Sequence, residues 1–185
     1  MSEAPVSDAE SRAECPSLSR LTTEYRPVED RIRVSGELSD HRVAVIWLTQ
    51  RLLRRLVPEL VQWLERQETP PATPRPELVH GFRQHSAQHR HASAPAEPRV
   101  PAEKAAADWL LTRVDLQPRG NRLHLVLKGV DEGEAASLAL TPLVLRQWLG
   151  LLLQCYRRGG WPLAPWPEWM QETAQAASPP ATAMH

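Results

Sequence analysis

The sequence predicts an α+β fold: two ββα repeats plus an extra strand, forming a mainly antiparallel five-stranded sheet with two helices packed on one face. Three observations predict it. Residues 31–65 and 122–157 share one pattern, in which an apolar strand meets an acidic turn (Asp40, Asp131), a second strand ends in Leu-Thr (Leu48-Thr49, Leu140-Thr141), and a helix follows. The helices are also in register. Counting from each threonine, Leu52, Leu53, Leu56, Val57, Leu60 and Val61 match Val144, Leu145, Trp148, Leu149, Leu152 and Leu153, an apolar stripe of helical period. Finally, the loops between strands are short, which favours antiparallel neighbours.

Taken in order, residues 1–23 are rich in Ser, Glu, Ala and Pro and hold too few large apolar groups to offset the entropy of ordering, so a disordered tail is expected. The folded domain then spans 24–170. Its first strand region, Tyr25 to Leu38, alternates Ile32 and Val34 with Arg31, Arg33 and Glu37, leaving one face wet. Gly36 is expected to mark a bulge or twist. Ser39-Asp40-His41 turns the chain into Val43–Leu48, apolar on both faces and therefore central. Thr49 caps the first helix, and Pro58 inside it is expected to kink or break it.

Residues 67–105 form a Pro/His-rich insert that reads as linker, with a short helix at most over 77–88. Beyond it, Asp108–Leu116 is a third strand, Arg119-Gly120-Asn121 a hairpin turn, Leu123–Leu127 a fourth strand and Ala135–Leu140 a fifth. Thr141-Pro142 opens the second helix, with proline where its missing amide is not needed, and Arg157-Arg158-Gly159-Gly160 closes it. Residues 171–185 are expected to be a second disordered tail.

The chain's 22 basic and 22 acidic residues cancel, so no global field recruits nucleic acid or an anionic membrane. Two cysteines, Cys15 and Cys155, make no disulfide framework and suggest a reducing, cytoplasmic setting. No secretory signal or bilayer-spanning run is visible, so no membrane partner is expected.

Three constellations bear on function. His85 and His89 are four apart, so a helix would put both imidazoles on one face, a spacing that metals use. Neither a cysteine nor an intervening carboxylate accompanies them, and no cofactor is predicted. Arg51, Arg54 and Arg55 form a cationic row of the kind that binds phosphate backbones. Glu59, Glu65 and Glu68 lie close by in sequence and oppose that use. Trp161, Trp166 and Trp169, interleaved with prolines, offer large apolar surfaces that must be buried against their own domain or against a partner. The second helix is apolar nearly all round, Leu143 and Leu151 included, so it too needs cover on more than one side.

The runs DRIRV, VIWLTQRLLRRLVPEL, LALTPLVLRQWLGLLLQ and GGWPL resemble a family of small uncharacterised bacterial proteins in which a strand ending in Phe/Trp-Leu-Thr leads into an Arg-rich helix. The likeness covers about half of the chain. It implies that both repeats belong to one folded domain, and it carries no activity or site residue.

Together these features predict a non-catalytic protein-interaction or adaptor protein that self-associates, as a homodimer, through Leu143, Leu151 and the three tryptophans. The alternatives are a nucleic-acid-binding module using Arg51, Arg54 and Arg55, and a small metal-dependent enzyme at His85 and His89.

Overall fold

Thr49 and Thr141 each end a strand and start a helix by the same device. The Thr49 hydroxyl accepts from Leu52 N at 3.2 Å and the Thr141 hydroxyl from Val144 N at 3.3 Å, satisfying amides that have no partner within the helix. In this computed structural model, which describes residues 15–69 and 73–176, three antiparallel strands precede each helix. The first unit is β1 (Leu18–Arg26), β2 (Arg31–Leu38), β3 (Val43–Leu48) and α1 (Gln50–Glu68). The second is β5 (Arg113–Arg119), β6 (Arg122–Lys128), β7 (Ala135–Leu140) and α3 (Pro142–Arg158). Between them lie α2 (Pro76–Ser93), a short 3-10 turn and β4 (Ala105–Leu110); α4 (Glu168–Ala176) follows.

The α+β class holds, with four α-helices among the described residues, but the single five-stranded sheet does not. There are two sheets, ordered β1-β2-β3-β4 and β5-β6-β7, and only the β3–β4 pair is parallel. The predicted strand 108–116 is in fact a crossing point. Leu111 N donates to Trp47 O at 2.9 Å and Thr112 N to Lys128 O at 3.0 Å, so adjacent residues belong to different sheets. Cys15–Ser17 makes a similar link, since Ser137 N donates to Pro16 O at 2.8 Å while Ser39 N donates to Ser17 O at 2.8 Å. The first strand therefore begins at Leu18, inside the stretch expected to be disordered. Its pairing with β2 carries the irregularity expected at Gly36, displaced to Leu18/Arg20. Gly36 itself is needed for room: a Cβ there would lie 2.3 Å from Leu18 Cδ2.

Each sheet turns alternate side chains inward, as a two-residue period requires. Ile32, Val34, Ile46 and Leu48 from one sheet and Leu123, Leu125, Leu127 and Leu140 from the other share a single core with Leu53, Val57 and Leu60 of α1 and Leu145, Leu149 and Leu152 of α3. The expected break at Pro58 is absent, and α1 runs through it. Pro58 sits on the exposed side of α1, away from the residues that pack into the core. The expected linker is also mostly helix. Pro76 at the first turn, Glu77 beside the positive helix end and Arg90-His91 near the negative end support an 18-residue α2.

The tryptophan-rich segment folds back on its own chain. Gly160 takes the left-handed conformation (φ 63), and Trp161 then stands edge-on to Tyr25 and Tyr156 at 5.7 and 5.0 Å. Asp30 Oδ1 accepts from both Trp161 Nε1 (2.8 Å) and Tyr25 Oη (2.7 Å), and these bonds lower the Asp30 pKa. Trp166 packs on Tyr156, and Trp169 and Met170 are buried as well. With α2 and α4 packed on α3, the faces that the sequence left needing a partner are covered from within. Leu151 is half-buried, and Leu143 is exposed to 37%.

Trp161→Ala is accordingly expected to lower the free energy of unfolding by about 3–5 kcal/mol, the range for deleting a buried aromatic. Leu143→Ala, at a half-open site, should cost under about 1 kcal/mol. Urea denaturation of the two variants checks the difference, and near-equal losses would contradict the intramolecular seat of the tryptophan.

Candidate functional site

The N-terminal half of α1 lies beside the corner where β4 passes into β5, and the two enclose a groove of about 540 Å³. Leu52 and Leu56 form its helical wall, Leu110, Leu111, Val114 and Leu116 the opposite one, and Arg51, Arg55 and Glu59 edge it. Capping at Thr49 fixes the first helical turn, and the crossing bonds at Leu111 and Thr112 fix the corner. In the second unit the matching position of the helix carries a larger side chain. Trp148, seven residues after the Thr141 cap, lies against β1 and donates its indole N–H to Thr23 Oγ1 at 3.2 Å; seven after Thr49 stands the smaller Leu56.

Part of the surface charge is paired locally. Arg20 pairs with Glu37, Arg33 and Arg99 with Glu24, and Arg113 and Lys128 with Asp115. Arg51, Arg54 and Arg55 are exposed, and none of them makes an ion pair with a described residue. Of the arginine row, Arg51 and Arg55 edge the apolar groove, and Arg54 is exposed on α1 outside its lining.

A second cluster, which sequence reasoning missed, joins α1, α2 and α3. Arg146 is only 2% exposed although it lies in the most apolar helix. Its Nε and Nη2 both donate to Glu68 Oε2, and its Nη1 donates to His80 O at 3.3 Å. The guanidinium also lies 5.4 Å from the Trp169 ring centroid, within cation–π range. His80 Nδ1 sits 2.8 Å from Arg146 Nη2 and His80 Nε2 2.7 Å from Thr69 Oγ1. A guanidinium has no acceptor, so Nδ1 must accept and Nε2–H must donate to the threonine. This fixes a neutral imidazole. Burial first, and Arg146 second, lower the His80 pKa, against the opposing pull of Glu65 and Glu68. Gln84 completes the seam by donating to Arg146 O at 3.0 Å, and Gly150 keeps α3 open to it, since a Cβ there would lie 3.2 Å from Gln88 Nε2.

A cavity of about 530 Å³ borders this cluster, lined by Glu65, Thr69, His80 and Trp169 among others. With both His80 nitrogens engaged and Arg146 enclosed, the cluster is built to hold helices together. The sequence signal was a lone arginine interrupting an apolar stripe, repaid by Glu68 and His80 far away in the chain.

The remaining predicted residues divide. His85 and His89 are both exposed on α2, while among the described residues no group of three His, Cys, Asp or Glu could hold a metal ion. Trp161, Trp166 and Trp169, expected as partner anchors, are buried in their own chain, so they offer no docking surface. Among the described residues, no helix is long and apolar enough to cross a membrane. Comparison with protein-family models, with curated proteins and with solved structures finds no match to this chain.

Two outcomes follow from the buried cluster. Arg146→Ala is expected to cost about 3–5 kcal/mol, because it leaves Glu68 and His80 facing a void, and chemical denaturation measures it. The second concerns acid. Since the folded-state pKa of His80 lies below its ordinary 6.5, the unfolded chain binds more protons between the two values. The His80 contribution is therefore intact above about pH 6.5 and is lost as pH falls toward the folded-state value. A His80→Gln chain should show a flatter stability profile over that interval, and an unchanged slope would remove His80 as its source.

Proposed function

We propose that the chain is a non-catalytic protein-interaction module, working in the cytoplasm, whose α1 groove takes an extended acidic segment of a partner protein. One observation carries this: Arg51 and Arg55, neither with a carboxylate partner among the described residues, edge an apolar groove, with the equally unpaired Arg54 beside them on α1. Apolar side chains of the partner would lie on Leu52, Leu56, Val114 and Leu116, and its carboxylates would meet Arg51 and Arg55 as charge-assisted hydrogen bonds. Glu59 at one end would disfavour a carboxylate there and so favour one orientation.

A single-stranded nucleic acid suits the groove less well. Strands bound without sequence preference stack their bases on exposed aromatic rings. The groove walls supply leucine and valine instead.

Fluorescence anisotropy with the full chain tests the reading. The probes are a labelled alternating Glu/Leu peptide, its Lys/Leu counterpart and a labelled oligothymidylate. The acidic peptide should bind saturably, weaken with salt, and lose at least about tenfold in affinity in Arg51→Ala/Arg55→Ala. Equal binding of both peptides, or binding of the oligonucleotide alone, would overturn it.

A further inference from the structure

The outer face of α2 carries a feature unrelated to the α1 groove. Leu78, Phe82, His85, His89 and Ala92 follow one another at intervals of four, three, four and three, the spacing of a coiled-coil seam. All five are exposed, Leu78 to 61% and Phe82 to 73%, while the opposite side of the helix, through His80, Gln84 and Ala87, is buried. The seam bears neither carboxylate nor arginine. It includes two imidazoles one helical turn apart, half of a tetrahedral ligand set, and no described residue of the same chain completes that set.

We propose that α2 is a zinc-dependent homodimerisation helix, in which His85 and His89 of two copies bind one metal ion between antiparallel seams. An identical pair of imidazoles is what a second copy brings, and an all-nitrogen set suits zinc. The direction follows from the residues flanking the pair. Phe82 lies three before His85 and Ala92 three after His89, so antiparallel seams centred between the histidines set each phenyl ring over the small Ala92 of the second copy. Parallel seams would oppose Phe82 to Phe82 and Ala92 to Ala92, crowding one layer and leaving a void in the other. One stripe of five side chains falls short of the roughly 1,200–2,000 Å² of a standard interface, so association depends on the metal.

The test is light scattering coupled to size exclusion on the full chain, purified without a histidine tag, in EDTA and then with stoichiometric zinc sulfate. The expected result is a monomer in EDTA and a doubled mass with zinc, at one metal ion per two chains. His85→Ala and His89→Ala should each abolish the shift. These positions are exposed, so folding is not at stake, and His91→Ala, off the seam, should leave the shift intact. In a Cys15→Ser background, zinc should promote disulfides between Phe82→Cys and Ala92→Cys chains over either homodimeric pair. A chain that stays monomeric with zinc, binds one zinc per chain without a change in mass, or dimerises in EDTA would overturn the proposal. Preferential Phe82→Cys homodimers would overturn its antiparallel arrangement.

Discussion

The Arg146–Glu68 pair holds the arrangement together. Arg146 is enclosed in α3, Glu68 meets it from the end of α1, and His80 and Gln84 meet it from α2, so one buried cation ties three helices. A buried charge left alone costs several kcal/mol. The guanidinium therefore tolerates α2 in one position only, where the histidine carbonyl, the imidazole and the glutamine amide surround it. Trp169, brought by α4, closes the remaining side.

The same residue type at the matching place in the first unit shows what the insert decides. Arg54 lies five residues after its capping threonine, as Arg146 does after its own, yet Arg54 is exposed. The difference is the cover. α2 follows α1 in sequence but packs on α3, so it shields the second unit and leaves the first unit's outer helix face in water. Arg51, Arg54 and Arg55 stay solvated without an ion pair among the described residues, while Leu56 stands where α3 has a tryptophan, beside the open groove. The asymmetry between two similar units thus creates the surface to which a binding role is assigned.

What could be read from the sequence follows the same division. Caps, hairpin turns and the central placement of Val43–Leu48 were legible because each depends on local chemistry: a hydroxyl near free amides, a turn residue, an unbroken apolar run. The core stripes were legible because burial there is apolar and periodic. The full length of helix α2 escaped, beyond the short helix allowed over 77–88, because its buried side is His80, Gln84 and Ala87, which gives hydropathy no period to report. Strand β1 escaped because Thr22, Thr23, Glu24 and Arg26 serve ion pairs and hydrogen bonds as well as the ladder. The split of 108–116 between two sheets was invisible because a change of pairing partner leaves no mark on strand propensity. The tryptophans announced burial but not whose surface would bury them; for Trp161 that was settled by Tyr25 and Asp30, far from it in sequence, together with Tyr156 at the end of α3.

Net neutrality is no argument against specific recognition here, because charges that cancel over the whole chain do not cancel at every place on its surface. Glu24 faces Arg26, Arg33 and Arg99, and Asp115 faces Arg113 and Lys128, so each carboxylate neutralises only part of the positive charge gathered within a few ångströms of it, well inside the roughly 8 Å screening length of physiological salt. Such pairs contribute little to stability. The sheet edges are guarded too. Val100 N donates to Thr22 Oγ1 at 2.9 Å across β1, and Pro118 removes a donor from β5. The unpaired arginines beside the α1 groove and the uncharged seam of α2 are two places where another molecule would find unmet interactions. They lie on different helices and call for different chemistry, an anionic chain for the one and an identical helix with its metal for the other, so both can be occupied at once.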